Sequence, residues 1–224
     1  MDVLILNFLG DIPIVTKFWT VGCIALSILT TTNIIDPTRG IYNYDLVFKK
    51  GQYGRIIYSI FDYGNFDIRF LLNLYIKTTN LTMLENSIGN SGRYVWIIVL
   101  ILTSTILMTC FEQPIYSLGS IMTENLVYYQ LRKNPNGMNF RLLAGFNISP
   151  LVAQLYMNVI LYFVLEKSLL QVAMTFIPGH IIFYLDDILG NIYNIDVCKS
   201  PYDWWIERNR ANNRSTIIEH DQND

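Results

Sequence analysis

The chain has 224 residues, a formal net charge of −2, and 15% charged against 52% hydrophobic residues. A typical soluble domain carries about 25% charged side chains, so polar cover for a wet surface is missing. That deficit excludes a disordered chain, a nucleic-acid binder working through a basic face, and an ordinary cytosolic enzyme. A mean hydropathy of +0.31 points to a membrane, yet it is low for a chain that crosses one several times.

From the amino terminus, Val3 to Leu9 is too short to cross and reads as an interfacial helix. Asp2, Asp11 and Pro13, with no small-x-small site after them, argue against a cleaved signal peptide. Apolar runs follow over 18–35, 57–77, 94–111, 114–131, 148–165 and 169–189. Each approaches the ~20 residues that a helix needs to span. The strongest, Tyr94 to Phe111, holds no charge and contains Trp96-Ile97-Ile98-Val99-Leu100-Ile101-Leu102. The pattern predicts an all-α membrane protein of six transmembrane helices with both termini cytosolic. The membrane domain takes 1–205, and a flexible polar tail takes 206–224. In that orientation the cytosolic side holds ten Lys and Arg, Lys77 among them, against six opposite. The sequons at Asn80, Asn147 and Asn213 then face the cytosol.

The longest connection, Asp36 to Phe66, is crowded with rings: Tyr42, Tyr44, Phe48, Tyr53, Tyr58, Phe61, Tyr63 and Phe66. An aromatic belt at the lipid–water boundary accounts for them. A loop embedded in the non-cytosolic leaflet that handles a client is the alternative.

On the fourth run, Gln113, Ser117, Ser120, Glu124 and Tyr128 fall on one helical face, with Ile121 at its edge. Ile115, Gly119, Met122 and Leu126 look the other way. Similar stripes follow as Gln154, Asn158 and Tyr162, then Gln171, Thr175 and Gly179. Hydrogen bonding between helices explains such stripes, and so does a hydrated groove open to the membrane. An ionised Glu124 must in either case face protein or water.

Cys23, Cys110 and Cys198 are too scattered for a disulfide framework or a zinc site, and no cofactor motif is present. His180 is the one histidine inside an apolar run, with Tyr184 and Asp187 at i+4 and i+7 as partners. Ser117-Leu118-Gly119-Ser120 lacks the glycine after serine that opens a nucleophile site. No catalytic site is read. A solute transporter would show internal repeats and interrupted helices in matching positions, and neither is visible.

Several ordered blocks resemble the Derlin family, rhomboid-like proteins without protease activity. Asp11-Ile12-Pro13-Ile14-Val15-Thr16-Lys17-Phe18-Trp19 is similar to the family's amino-terminal motif. Gln52-Tyr53-Gly54-Arg55, Asn73-Leu74-Tyr75, Leu84-Glu85 and Gly179 to Asp187 match further on. Leu46 to Arg55, Ser59 to Gly64 and Cys198 to Trp204 look especially like the founding yeast Derlin. The chain departs from the family where Gly54 replaces the tryptophan usual before Arg55. It also has Thr175-xxx-Gly179 in place of a Gly-xxx-Gly packing motif, and its tail lacks a Gly-rich, Phe-containing box.

The resemblance implies a rhomboid-like bundle and a multi-pass protein of the endoplasmic reticulum membrane. Its function would be endoplasmic-reticulum-associated degradation, moving misfolded lumenal proteins, glycoproteins among them, back to the cytosol. Implied partners are a membrane RING-type ubiquitin ligase, its scaffold subunits and the lipid bilayer, with the cytosolic unfolding ATPase reached indirectly. Alternatives are a structural or client-recruiting subunit of the ligase complex, or an active intramembrane serine protease. On this reading Gln52, Arg55, Glu124, Asn125, Tyr128 and Asn158 lie along a substrate path, and Thr175, Gly179 and His180 serve helix packing.

Overall fold

A computed structural model of the chain describes residues 12–113, 115, 117–134, 140–141, 147–148, 152, 156, 160, 162–163, 167–193, 196 and 198–209. The expected interfacial helix at Val3 to Leu9, together with Gln154, Asn158 and Asn213, lies outside them.

Helix α1, Ile14–Thr31, starts at Pro13, which offers no side-chain cap. Its open N–H groups are satisfied from another helix. Val15 N and Thr16 N donate to the two Glu85 carboxylate oxygens at 3.2 and 2.9 Å, and the Thr16 hydroxyl adds a bond of 2.8 Å. Glu85 is only 3% exposed, so this carboxylate faces the positive helix end with little water to screen it. A Thr20–Thr78 hydroxyl pair at 3.0 Å continues the seam. Much of α1's remaining polarity is internal: the Thr30, Thr31 and Thr32 hydroxyls bond back to carbonyls of Leu26, Ser27 and Ile28.

Helix α2, Gly54–Phe61, belongs to the long loop and does not span. It docks on α5, Leu118–Lys133, where Ser59 Oγ accepts from Leu118 N at 2.9 Å. A Cβ on Gly119 would meet Ile60 O at 1.9 Å, so a side chain there is incompatible with the contact. Helix α3, Ile68–Ile88, is capped by Asp67 and ends at Gly89 with φ +70°. Asn90 then caps α4, Ser91–Met108, by accepting from Gly92 N and Arg93 N. The two-residue link makes α3 and α4 an antiparallel hairpin. A two-residue antiparallel pair, Phe140–Arg141 with Asn147–Ile148, follows.

The last apolar stretch is helical in pieces: α6, Leu169–Met174; α7, Ile177–Phe183; a π-turn over Tyr184–Ile188; and α8, Leu189–Tyr193. Residues 201–209 form a final helix. Helix α5 sits at the centre, touching α2, α3, α4 and α7. Its Met122, Leu126 and Tyr129 are at most 2% exposed.

Among the described residues, three stretches are long and apolar enough to cross a membrane: Ile14–Thr31, Ser91–Met108 and Leu169–Tyr193. The second crossing was expected over 57–77 with Lys77 at its cytosolic end. The structure instead makes 57–61 part of a docked loop helix and sets the long helix at 68–88. Lys77 therefore lies in the middle of a helix rather than at its end. It faces polar and aromatic groups of the protein there, Ser120 and the Tyr63 ring.

Because Glu85 is the cap of α1, Glu85→Ala should cost about 3 kcal/mol by orphaning buried donors, and Glu85→Gln roughly half as much. Thermal unfolding of the purified protein in detergent will read both.

Candidate functional site

A cavity of about 780 Å³ opens between α3, α5, α6 and the loop that follows α2. Its floor is polar. Lys77 Nζ donates to Ser120 Oγ at 2.9 Å and stands 4.5 Å from the centre of the Tyr63 ring. The Ser120 hydroxyl in turn reaches Glu124 Oε1 at 3.4 Å. Asp62, Asn73, Lys167, Gln171 and Thr175 complete the polar lining, with Ile41, Ile115, Ile121 and Met174 between them. Asp62 sits in the loop, and burial raises its carboxyl above the ordinary carboxylate range.

Local capping sets these positions. Ser117 caps α5 through Ser120 N at 3.0 Å and donates to Asp62 O at 2.7 Å, fixing the loop to the helix start. Tyr63 is held by a 3.2 Å contact with the Thr123 hydroxyl and an edge-on contact with Trp19. Across the cavity, Ser168 caps α6 through Gln171 N, and Gln171 Nε2 donates to Glu112 at 3.2 Å.

Behind the cavity wall the last apolar stretch is broken. Pro178 has no N–H for Met174 O, so a helix through this point would leave that carbonyl empty. Asn125 fills the gap: its Nδ2 donates to Met174 O, and its Oδ1 accepts from Gly179 N, both at 2.8 Å. A Cβ on Gly179 would lie 2.5 Å from Asn125 O, so glycine permits the approach. Thr175 is also buried, its hydroxyl turned back to Val172 O at 2.7 Å.

The expected site residues therefore separate. Glu124 lines the cavity. Asn125 is fully buried and has no surface to offer a passing chain; it joins α5 to α7. Tyr128 is 6% exposed, and its hydroxyl meets His180 Nδ1 at 3.0 Å and Arg132 Nε at 2.9 Å. His180 itself is exposed, and its partner is Tyr128 rather than Tyr184 or Asp187. Gln52 and Arg55 bond each other at 2.6 Å. The Arg55 guanidinium also donates to the Thr38 and Ile41 carbonyls at 2.7 and 3.0 Å, so both residues hold the loop together. Ile115, assigned to the opposite face, in fact lines the cavity and pairs with Tyr42 through backbone bonds of 2.9 and 3.0 Å. The loop's rings also divide: Tyr42 is buried, while Phe48, Tyr53 and Phe66 are exposed.

Sequence reasoning missed Lys77 and the two carboxylates that lock the bundle. Asp186 accepts from Tyr129, Arg93 and Lys133, joining α4, α5 and the π-turn. Arg93 also reaches Asp196 at 3.2 Å. Nearby, burial pushes the Cys198 thiol up to about 12. A signal for Lys77 existed, since Asn73 and Lys77 stand i, i+4 once the helix is set at 68. Among the described residues no His, Cys, Asp and Glu side chains group to hold a metal ion.

Replacing Asn125 with Leu should leave the Met174 carbonyl and the Gly179 N–H unpaired and cost about 2–5 kcal/mol. Asn125→Asp should also destabilise, because it keeps the acceptor and loses the donor. Guanidinium-free thermal unfolding in detergent, compared with Met122→Leu as a packing control, measures the effect.

The model of the Der1-like family matches residues 12–202. The protein of Saccharomyces cerevisiae named Degradation in the endoplasmic reticulum protein 1 is 53% identical over 205 residues, 92% of this chain and 97% of its own length. The probable derlin-2 homolog of Dictyostelium discoideum is 26% identical over 199 residues, 85% of this chain and 78% of its own. Derlin-1.2 of Zea mays is 28% identical over 133 residues, 58% of this chain and 55% of its own.

Proposed function

The chain belongs to the Der1-like family, and from that premise we propose that it is a membrane component of endoplasmic-reticulum-associated degradation. It assists misfolded lumenal proteins back across the membrane toward a RING-type ubiquitin ligase and its scaffold subunits. It spans the endoplasmic reticulum membrane six times with both termini cytosolic, and it performs no bond cleavage.

One observation carries this reading: a cavity lined by charged and polar groups in a bundle that holds, among the described residues, three helical stretches apolar enough to cross a membrane. A polypeptide entering hydrocarbon leaves its backbone N–H and C=O groups unsatisfied, at several kcal/mol each. A cavity of donors and acceptors lowers that cost. Helix length supports the same reading. The 16 residues of α5 give a helix of about 24 Å at 1.5 Å per residue, short of a ~30 Å hydrocarbon core. Mismatch of that sign thins the bilayer locally. The non-catalytic part draws support from the serines. Ser120 is engaged with Lys77 and Glu124, and Ser117 with the loop carbonyls, while His180 is turned to Tyr128.

A photocrosslinking residue at Gln171 or Glu124 should capture a stalled lumenal client, whereas one at Val95 or Val99, on the exposed face of α4, should not. Capture at the α4 positions alone would leave a structural subunit as the better description. The topology has its own check. Asn213 should stay unglycosylated in microsomes, and its modification would place the tail in the lumen.

A further inference from the structure

The charged side chains inside this bundle fall into two kinds, buried and half-buried. Glu85 receives four donors, from Val15, Thr16 twice and Ser91, and Asp186 receives three. Those carboxylates are saturated and join helices. Lys77 and Glu124 differ. Lys77 is the tenth of the 21 residues of α3, about 15 Å from either helix end at 1.5 Å per residue. Among the described contacts its ammonium uses one of three N–H groups, on Ser120, and the other neighbour is the Tyr63 ring face. Among the described contacts Glu124 takes a single bond, from Ser120 at 3.4 Å. An ion pair kept for stability would be closed and fully bonded. This one is held open across a serine, with both charges on the cavity wall.

Resting on the functional reading above, we infer that Lys77 and Glu124, spaced by Ser120, grip the backbone of one extended, uncharged stretch of client polypeptide. The edge of an extended chain presents C=O and N–H groups side by side. Lys77 Nζ donates to the carbonyl, and Glu124 accepts from the N–H. Both sites are filled together, and neither needs a particular side chain, so the grip tolerates varied clients. A client stretch of net charge meets attraction from one of the two residues and repulsion from the other, so charge of either sign brings the grip no advantage.

The test uses the full chain in native membranes with a photocrosslinker at Gln171 and a lumenal client whose translocation is stalled. Lys77→Met and Glu124→Gln should each lower capture about tenfold, the loss of one charged hydrogen bond of ordinary strength. Lys77→Met should leave the unfolding temperature in detergent close to the wild type's, because among the described contacts the ammonium makes one hydrogen bond, to Ser120, and no direct contact with Glu124. Unchanged capture by Lys77→Met, with the wild type capturing normally, overturns this inference and leaves the functional reading standing. A fall in unfolding temperature with unchanged capture per folded molecule also overturns it and makes Lys77 a packing residue. A wild-type chain that captures nothing at Gln171 overturns both.

Discussion

The bundle depends on a carboxamide placed in a helix break. Pro178 denies Met174 O its normal donor, and Asn125, reaching from the central helix, supplies both a donor to that carbonyl and an acceptor for Gly179 N–H. In hydrocarbon an unsatisfied backbone group is costly, so an interrupted span can exist only where protein fills the gap. The same contact fixes how closely α7 approaches α5, because Asn125 O lies against the position a Gly179 Cβ would take. The wall of the cavity, Gln171 to Thr175, is the part of the stretch just before that break.

Two further locks follow the same logic at other places. Glu85 caps a helix that cannot cap itself, and Asp186 gathers an arginine from α4 and a lysine and a tyrosine from α5. Each uses a polar group whose partners come from elsewhere in the chain, so the group specifies which helices meet. Between these locks the loop helix α2 is seated on Gly119 and tied by Ser59, Ser117 and Arg55. The cavity is what remains when those fixed contacts are subtracted. Its polar floor is consistent with the low mean hydropathy of the whole chain.

The polar stripe read from the sequence of α5 turned out to serve two purposes. Its first half, Ser117, Ser120 and Glu124, faces the cavity; its last member, Tyr128, is buried against His180 and Phe176. A helical wheel records angle but not depth along the axis, so it could not distinguish a wet end from a packed one. Lys77 went astray for a related reason. A hydropathy window treats a lysine as the end of an apolar run, and only its contacts with Ser120 and Tyr63 show what holds one in the middle of a helix.

By itself the sequence determined that this is a helical membrane chain of the Derlin kind. Composition, charge-free runs and ordered motifs are local properties, and residues such as Thr16, Glu85, Gly179 and Asp186 all lie in the blocks that carried the resemblance. It also marked Glu124 as a residue that must face protein or water. The tertiary structure alone decided where the second long helix begins, that Asn125 is a structural plug and that Lys77 joins Glu124 in one cavity. The physical reason is common to the last two. In an apolar surround a polar side chain is placed by the partner it finds, and each partner here lies 40 or more residues away along the chain.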